Sequence, residues 1–190
     1  EALAATPAGE TAEASPGPCP VVFAPRAVAQ LLDTLGHCAF NGLAHATGSG
    51  ALSGLLGRAV AAPAVNLSDA PEFSGTLPRA FDAEGVPKGT VPLIRDGVAH
   101  GVVHDSRSAA LAGAASTGHA LAAGGAATGP RPTNLVLVGG DGDDEAGLAH
   151  GIDRGLLVRA FADIDAVEPG TANVMGITRG ASLIEDGAVT

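Results

Sequence analysis

Leu93-Ile94-Arg95-Asp96-Gly97-Val98-Ala99 decides the fold class, because an apolar run, an Asp-Gly pair and a second apolar run mark a β-hairpin closed by a tight turn. The pattern returns near the other end as Leu183-Ile184-Glu185-Asp186-Gly187-Ala188-Val189. Two hairpins of one form predict mostly antiparallel pairing. Apolar runs at Ala59–Leu67, Thr90–Arg95, Val98–His104, Leu135–Val138 and Leu156–Phe161 supply the strand candidates. The first return strand is read as running on to His104. The second meets Thr190, where ladder groups would be left unpaired, so the natural protein is expected to continue.

Helices complete the class. Pro25 suits a first helical turn, and Val28, Leu31, Leu32 and Leu35 form an apolar stripe at helical spacing, predicting a helix over about residues 25–40. A shorter helix is predicted over about Asp144–Asp153, with Asp143, Asp144 and Glu145 at the end where the helix dipole favours them and Gly155 to stop it. The expectation is an α+β domain, a mostly antiparallel sheet or barrel-like body with a few helices.

With 190 residues the chain can bury one sizeable core. Residues 1–20 are Ala, Pro, Gly, Glu and Thr with almost no large apolar side chain. Such a stretch cannot offset the entropy of ordering, so it reads as a linker, and residues 21–190 read as the folded domain. An amino-terminal domain is expected upstream. Five Phe with no Trp or Tyr leave the core to Leu, Val, Ile and Ala, which bury less area, and modest stability is expected. A net charge of -10 opposes phosphate backbones, so nucleic acid is not an expected partner. No apolar run approaches the roughly 20 residues that span a bilayer, so no membrane is expected either. Cys19 and Cys38 share no metal-type spacing and fit a reducing cytoplasm.

The helix contains Leu32-Asp33-Thr34-Leu35-Gly36-His37, which matches His-Glu-x-x-x-His with the first two residues replaced. In the intact motif two histidines just over one turn apart reach one zinc ion, and the carboxylate activates its water. Leu32 cannot ligate, and Asp33 is one methylene short of a glutamate, which displaces a general base. The simpler reading makes His37 a residue near the helix end with Asp33 as its charge partner. His37 is the remaining candidate metal ligand. His100 and His104 are also three residues apart, but on a strand that spacing spans about 13 Å, so they read as polar positions on one hairpin face.

Asp141, Asp143, Asp144 and Glu145 lack the alternation of a calcium loop and read as a solvated helix start. Gly139-Gly140-Asp141-Gly142 lacks a phosphate-loop pattern and reads as a turn. Asp82 and Glu84 could pair as acids but read better as turn-stabilising. Arg131 and Asn134 offer fixed donors that could hold an extended peptide by its backbone. Ser116, Thr117 and His119 form a nucleophile set only by residue type, without a Gly-x-Ser-x-Gly elbow.

Six stretches in order, Phe81–Val86, Leu93–Val98, His104–Ala109, Ser116–Ala120, Arg131–Asn134 and Leu183–Gly187, resemble the carboxy-terminal part of the TldD/PmbA (TldE) metallopeptidase family. Ser116–Ala120 resembles the PmbA/TldE side, and Arg131–Asn134 a segment commoner in TldD. The resemblance implies one subunit of a heterodimeric cytoplasmic zinc metallopeptidase that degrades or processes small or unfolded peptides, with zinc and the catalytic glutamate on a TldD-like partner. This chain would then be the non-catalytic, TldE-like half, with Arg131, Asn134, Ser116 and His119 as candidate substrate-binding residues. The alternatives are a self-sufficient metallohydrolase using Asp33 and His37, and a homodimeric peptide-binding module.

Overall fold

The structure, a computed structural model, describes residues 14, 16–123, 125–139, 144–168 and 170–190. It is α+β, with two four-stranded, mostly antiparallel sheets ordered β1-β6-β7-β8 and β4-β3-β2-β5. The strands are β1 (Val21–Phe23), β2 (Asn66–Asp69), β3 (Val91–Arg95), β4 (Val98–Ala99), β5 (Leu135–Val138), β6 (Arg154–Ala166), β7 (Val174–Glu185) and β8 (Ala188–Val189). The helices are α1 (Pro25–Cys38), α2 (Gly42–Ala46), α3 (Ser106–Ala112) and α4 (Glu145–Ala149). Among the described residues no helix is long and apolar enough to cross a membrane. The linker expected over residues 1–20, the Gly139–Gly142 turn and the acids Asp141 and Asp143 lie wholly or largely outside the described residues.

The chain divides into two compact units. One is formed by residues 1–31, 142–164 and 176–190. In it β1 pairs parallel with β6, from Val21 opposite Leu156 to Phe23 opposite Val158. Where β1 ends, the Gln30 side chain takes over: its amide donates to Phe161 O (2.9 Å) and accepts from Phe161 N (2.8 Å). Val22, Ala149, Leu157 and Ile184 form its buried core.

The other unit comprises residues 32–141 and 165–175. Here β2 is flanked by β3 and β5, both antiparallel. Phe40, Leu52, Leu67, Leu93, Val102 and Val103 are buried at its centre, with Leu32 and Leu35 of α1 packed against them. Full burial of each large apolar side chain is worth about 1.5–3 kcal/mol, which is why the α1 stripe selects this face.

Both Asp-Gly turns form as expected. Asp96 and Gly97 have φ of 49° and 75°, and Asp186 and Gly187 have 48° and 80°, the positive pair that a two-residue hairpin turn of matching twist demands. Other boundaries differ. The Ala59–Leu67 run yields strand only from Asn66, because Pro63 has no N–H to give a ladder and Val65 N closes a turn onto Ala62 O. The Val98–His104 strand stops at Ala99. His100 N and Gly101 N both turn to Leu93 O, and Val103 N then bonds Phe40 O. His100 and His104 therefore do not share a hairpin face; His104 is buried just before α3. The Asp144–Asp153 helix is shortened to α4, since the carbonyls of Ile152 and Asp153 accept Gly187 N and Asp186 N from the second hairpin turn.

Candidate functional site

Leu32, Asp33 and His37 lie on α1 with their side chains engaged separately. Leu32 has no donor and packs against the core. Asp33 is ion-paired to the Arg131 guanidinium, so the charge partner expected for His37 is engaged elsewhere. The partial cover of its neighbours, then the Arg131 charge, lowers the His37 pKa, while Asp33 and Asp165 oppose the shift. Among the described residues no group of three or more His, Cys, Asp or Glu is placed to hold a metal ion. These residues do not fit the zinc site that an intact motif would build, since one ligand is an alkyl group and the carboxylate is committed to an arginine.

Four of the six sequence stretches converge elsewhere. Asp69, at the end of β2, is wholly buried. Its Oδ2 accepts Thr133 N at 2.6 Å and Asn134 N at 2.8 Å, which fixes the chain as it enters β5. Its Oδ1 lies 2.7 Å from Lys88 Nζ and 3.1 Å from His119 Nε2. The first contact is an ion pair, and neither has the alignment of a hydrogen bond. Lys88 Nζ also donates to Thr133 Oγ1 (2.6 Å) and Asn134 Oδ1 (2.5 Å), so the ammonium is surrounded by oxygens. Burial works against the Asp69 carboxylate, but contacts from His119 and Lys88 and the Asn134 N–H outweigh it and hold its pKa at about 2. Burial lowers the Lys88 pKa, and Asp69 partly restores it.

The loops around this cluster are set by short-range capping. Asp82 Oδ1 accepts Glu84 N and Val86 N, each at 2.9 Å, and Oδ2 accepts Ala120 N at 2.9 Å. Glu84 accepts Ser106 N at 3.0 Å, and Asp105 and Ser108 cap α3 reciprocally. Asp82 thus holds turns, the role favoured over an acid pair, and Glu84 holds a helix start. Gly118 has φ 75°, and a Cβ there would meet Pro87 O at 2.5 Å, so only glycine lets the 116–120 loop close on Lys88.

Thr117, His119 and Asp69 resemble a nucleophile, base and acid in sequence of contact, with Thr117 Oγ1 2.9 Å from His119 Nδ1. The hydroxyl is already engaged: it accepts His104 N at 2.7 Å and donates to His104 O at 3.1 Å. It ties two loops together, and His119 Nδ1 also lies 2.8 Å from Thr117 O, a carbonyl that can only accept. His104 is likewise structural, its Nδ1 3.2 Å from Ser108 Oγ. Burial first, then the charges of His45 and His119, lower its pKa.

Arg131, His119 and Thr133 line one narrow cleft with Arg79, Phe81 and Lys88. Asn134 lies beneath it, buried, its amide donating to Leu77 O at 2.6 Å and its oxygen taking Lys88. Ser116 Oγ donates to His104 O and accepts Gly118 N, both at 3.3 Å. Of the residues singled out in the sequence, Arg131 keeps donors in reach of solvent, His119 forms part of the floor, and Asn134 and Ser116 position others. Asp69 and Lys88 were not singled out. The available signal was that Lys88 is the only lysine in a chain with 20 acidic residues.

Similar architectures occur among solved structures. A TldE structure from Thermococcus kodakarensis is 30% identical, with a TM-score of 0.76 over 90% of this chain and 39% of that one. Two proteins described as modulators of DNA gyrase also superpose. The Thermotoga maritima protein is 22% identical, with TM-score 0.73 over 90% of this chain and 38% of its own. The Bacteroides thetaiotaomicron protein is 24% identical, with TM-score 0.71 over 90% and 36%. This chain thus spans under two fifths of each of them. None of the curated proteins compared matches it. The PmbA/TldA metallopeptidase C-terminal domain model matches residues 16–190, and with the TldE likeness this establishes that the chain belongs to that family.

Proposed function

We propose that this chain is the non-catalytic, TldE/PmbA-like subunit of a heterodimeric zinc metallopeptidase that degrades or processes small or unfolded peptides. The observation that carries the reading is the state of the degenerate motif: Leu32 packs on the core and Asp33 is spent on Arg131, leaving His37 without a companion ligand. In this reading zinc and the catalytic glutamate come from a TldD-like partner, the complex works in the cytoplasm, and this chain contributes substrate contacts through the cleft that Arg131 and His119 line. A self-sufficient metallohydrolase would need Asp33 to leave Arg131.

Zinc content measured by elemental mass spectrometry tests this. The expected result is no stoichiometric zinc on the chain purified alone and one zinc per complex when it is purified with a co-expressed TldD-like partner. One zinc on the lone chain, lost on His37→Ala, would overturn the assignment. Failure to co-purify with such a partner, together with homodimer mass, would favour an independent peptide-binding module.

A further inference from the structure

Basic side chains gather at the cleft beside the buried cluster in a chain whose net charge is -10. Three of the chain's ten Lys and Arg residues, Arg79, Lys88 and Arg131, line it. The acid on its wall, Asp82, has both carboxylate oxygens occupied by backbone N–H groups. Asp69, beneath, offsets Lys88. Arg79 is solvent-exposed, and among the described residues no carboxylate lies within ion-pair distance of it. It is nonetheless close enough for its charge to act on Lys88. Arg131 gives one terminal nitrogen to Asp33, and a guanidinium has five donors, so most of its fork remains.

Shape narrows the class of ligand. The free volume is only about 10 Å³, space for at most one water, so a ligand group would be met at the mouth of the cleft and not enclosed in it. Phe81 is 66% exposed at the rim, an apolar surface on which a neighbouring backbone can lie.

We propose that the mouth of the Arg79–Arg131 cleft anchors a carboxylate of a bound peptide, taken between two guanidinium groups. The inference rests on the peptide-handling role proposed above and adds a chemical preference to it. Two sources supply the same group: the peptide's own C-terminus, or an Asp or Glu side chain. Elsewhere the acidic surface repels such peptides, so the preference is local to this cleft.

The test is fluorescence anisotropy at low salt on the full chain, alone and with a co-expressed TldD-like partner. Four dye-labelled peptides of one Ala-rich sequence are compared: free acid or amide at the C-terminus, each with Glu or Gln at one internal position. The expected result is binding about tenfold tighter for the carboxylate-bearing form than for the Gln amide, as for one charge-assisted contact. The advantage should vanish in the Arg79→Gln/Arg131→Gln variant. Preference for the free acid identifies the terminus, and preference for Glu over Gln identifies a side chain. Equal affinity for all four peptides overturns the carboxylate anchor while leaving peptide binding intact, and a preference that survives in the variant overturns its placement here. Failure to bind any of the four, alone or with the partner, overturns both readings.

Discussion

Asp33 and Asp69 each face basic side chains, but water reaches the first and not the second: their side chains are 62% and 0% exposed. The Asp33–Arg131 pair is screened by solvent, and such pairs contribute about 0–1 kcal/mol. The Asp69–Lys88–His119 cluster has been taken out of water, where desolvation cancels much of the attraction but an orphaned member is costly. The difference separates two kinds of polar site in one unit. Residues at motif spacing on α1 are spent on the core and on an arginine, whereas residues without motif spacing hold a strand and three loops in register and build a cleft.

Removing a partner from the buried cluster should have the largest effect. Lys88→Met takes the only lysine charge from the buried Asp69 carboxylate and should cost about 3–5 kcal/mol, read as a lower denaturation midpoint with little change in slope. A loss below about 1 kcal/mol would mean that the cluster behaves like the surface pair and that the contrast fails.

Acid should divide the two sites by a smaller margin. The Asp69 pKa is held at about 2 against an ordinary 3.8. A depressed carboxyl pKa adds stability that is present above 3.8 and lost as pH falls through about 2. At about 1.4 kcal/mol per unit, the difference of 3.8 minus about 2 predicts a loss of about 2 kcal/mol across that window. Denaturation midpoints measured against pH should fall there in the native chain and stay flatter in Asp69→Asn.

The smallest effect belongs to α1. Asp33→Ala should change stability by less than about 1 kcal/mol. It should also lower the His37 pKa further, because it removes a charge that raises that pKa and leaves the Arg131 charge that lowers it. An NMR titration of His37 that moved upward instead would mean that Arg131, once released from Asp33, no longer holds its charge beside the ring.

How far the sequence reaches differs between these regions for physical reasons. Asp96-Gly97 and Asp186-Gly187 were legible because a tight turn is written into adjacent residues, and α1 because Leu32 and Leu35 repeat at helical spacing. Leu135–Val138 was read with its bounds intact. The Val98–His104 strand and the Asp144–Asp153 helix were overextended, since what ends them is a distant partner: Phe40 O for one, the second hairpin turn for the other. The Asp69 cluster was hidden for the same reason. Its members are drawn from β2, the 81–88 turn, the 116–120 loop and the entry to β5, and no local period links them. The resemblance marked three of those segments without saying that they meet.

Burying the only lysine also gives the molecule an internal clock. With the Lys88 side chain 2% exposed, an amine-directed reagent cannot reach the one lysine of these 190 residues while the unit stays closed. A label can enter there only when Lys88 leaves Asp69 for water. The rate of labelling at Lys88 therefore counts openings of this one region.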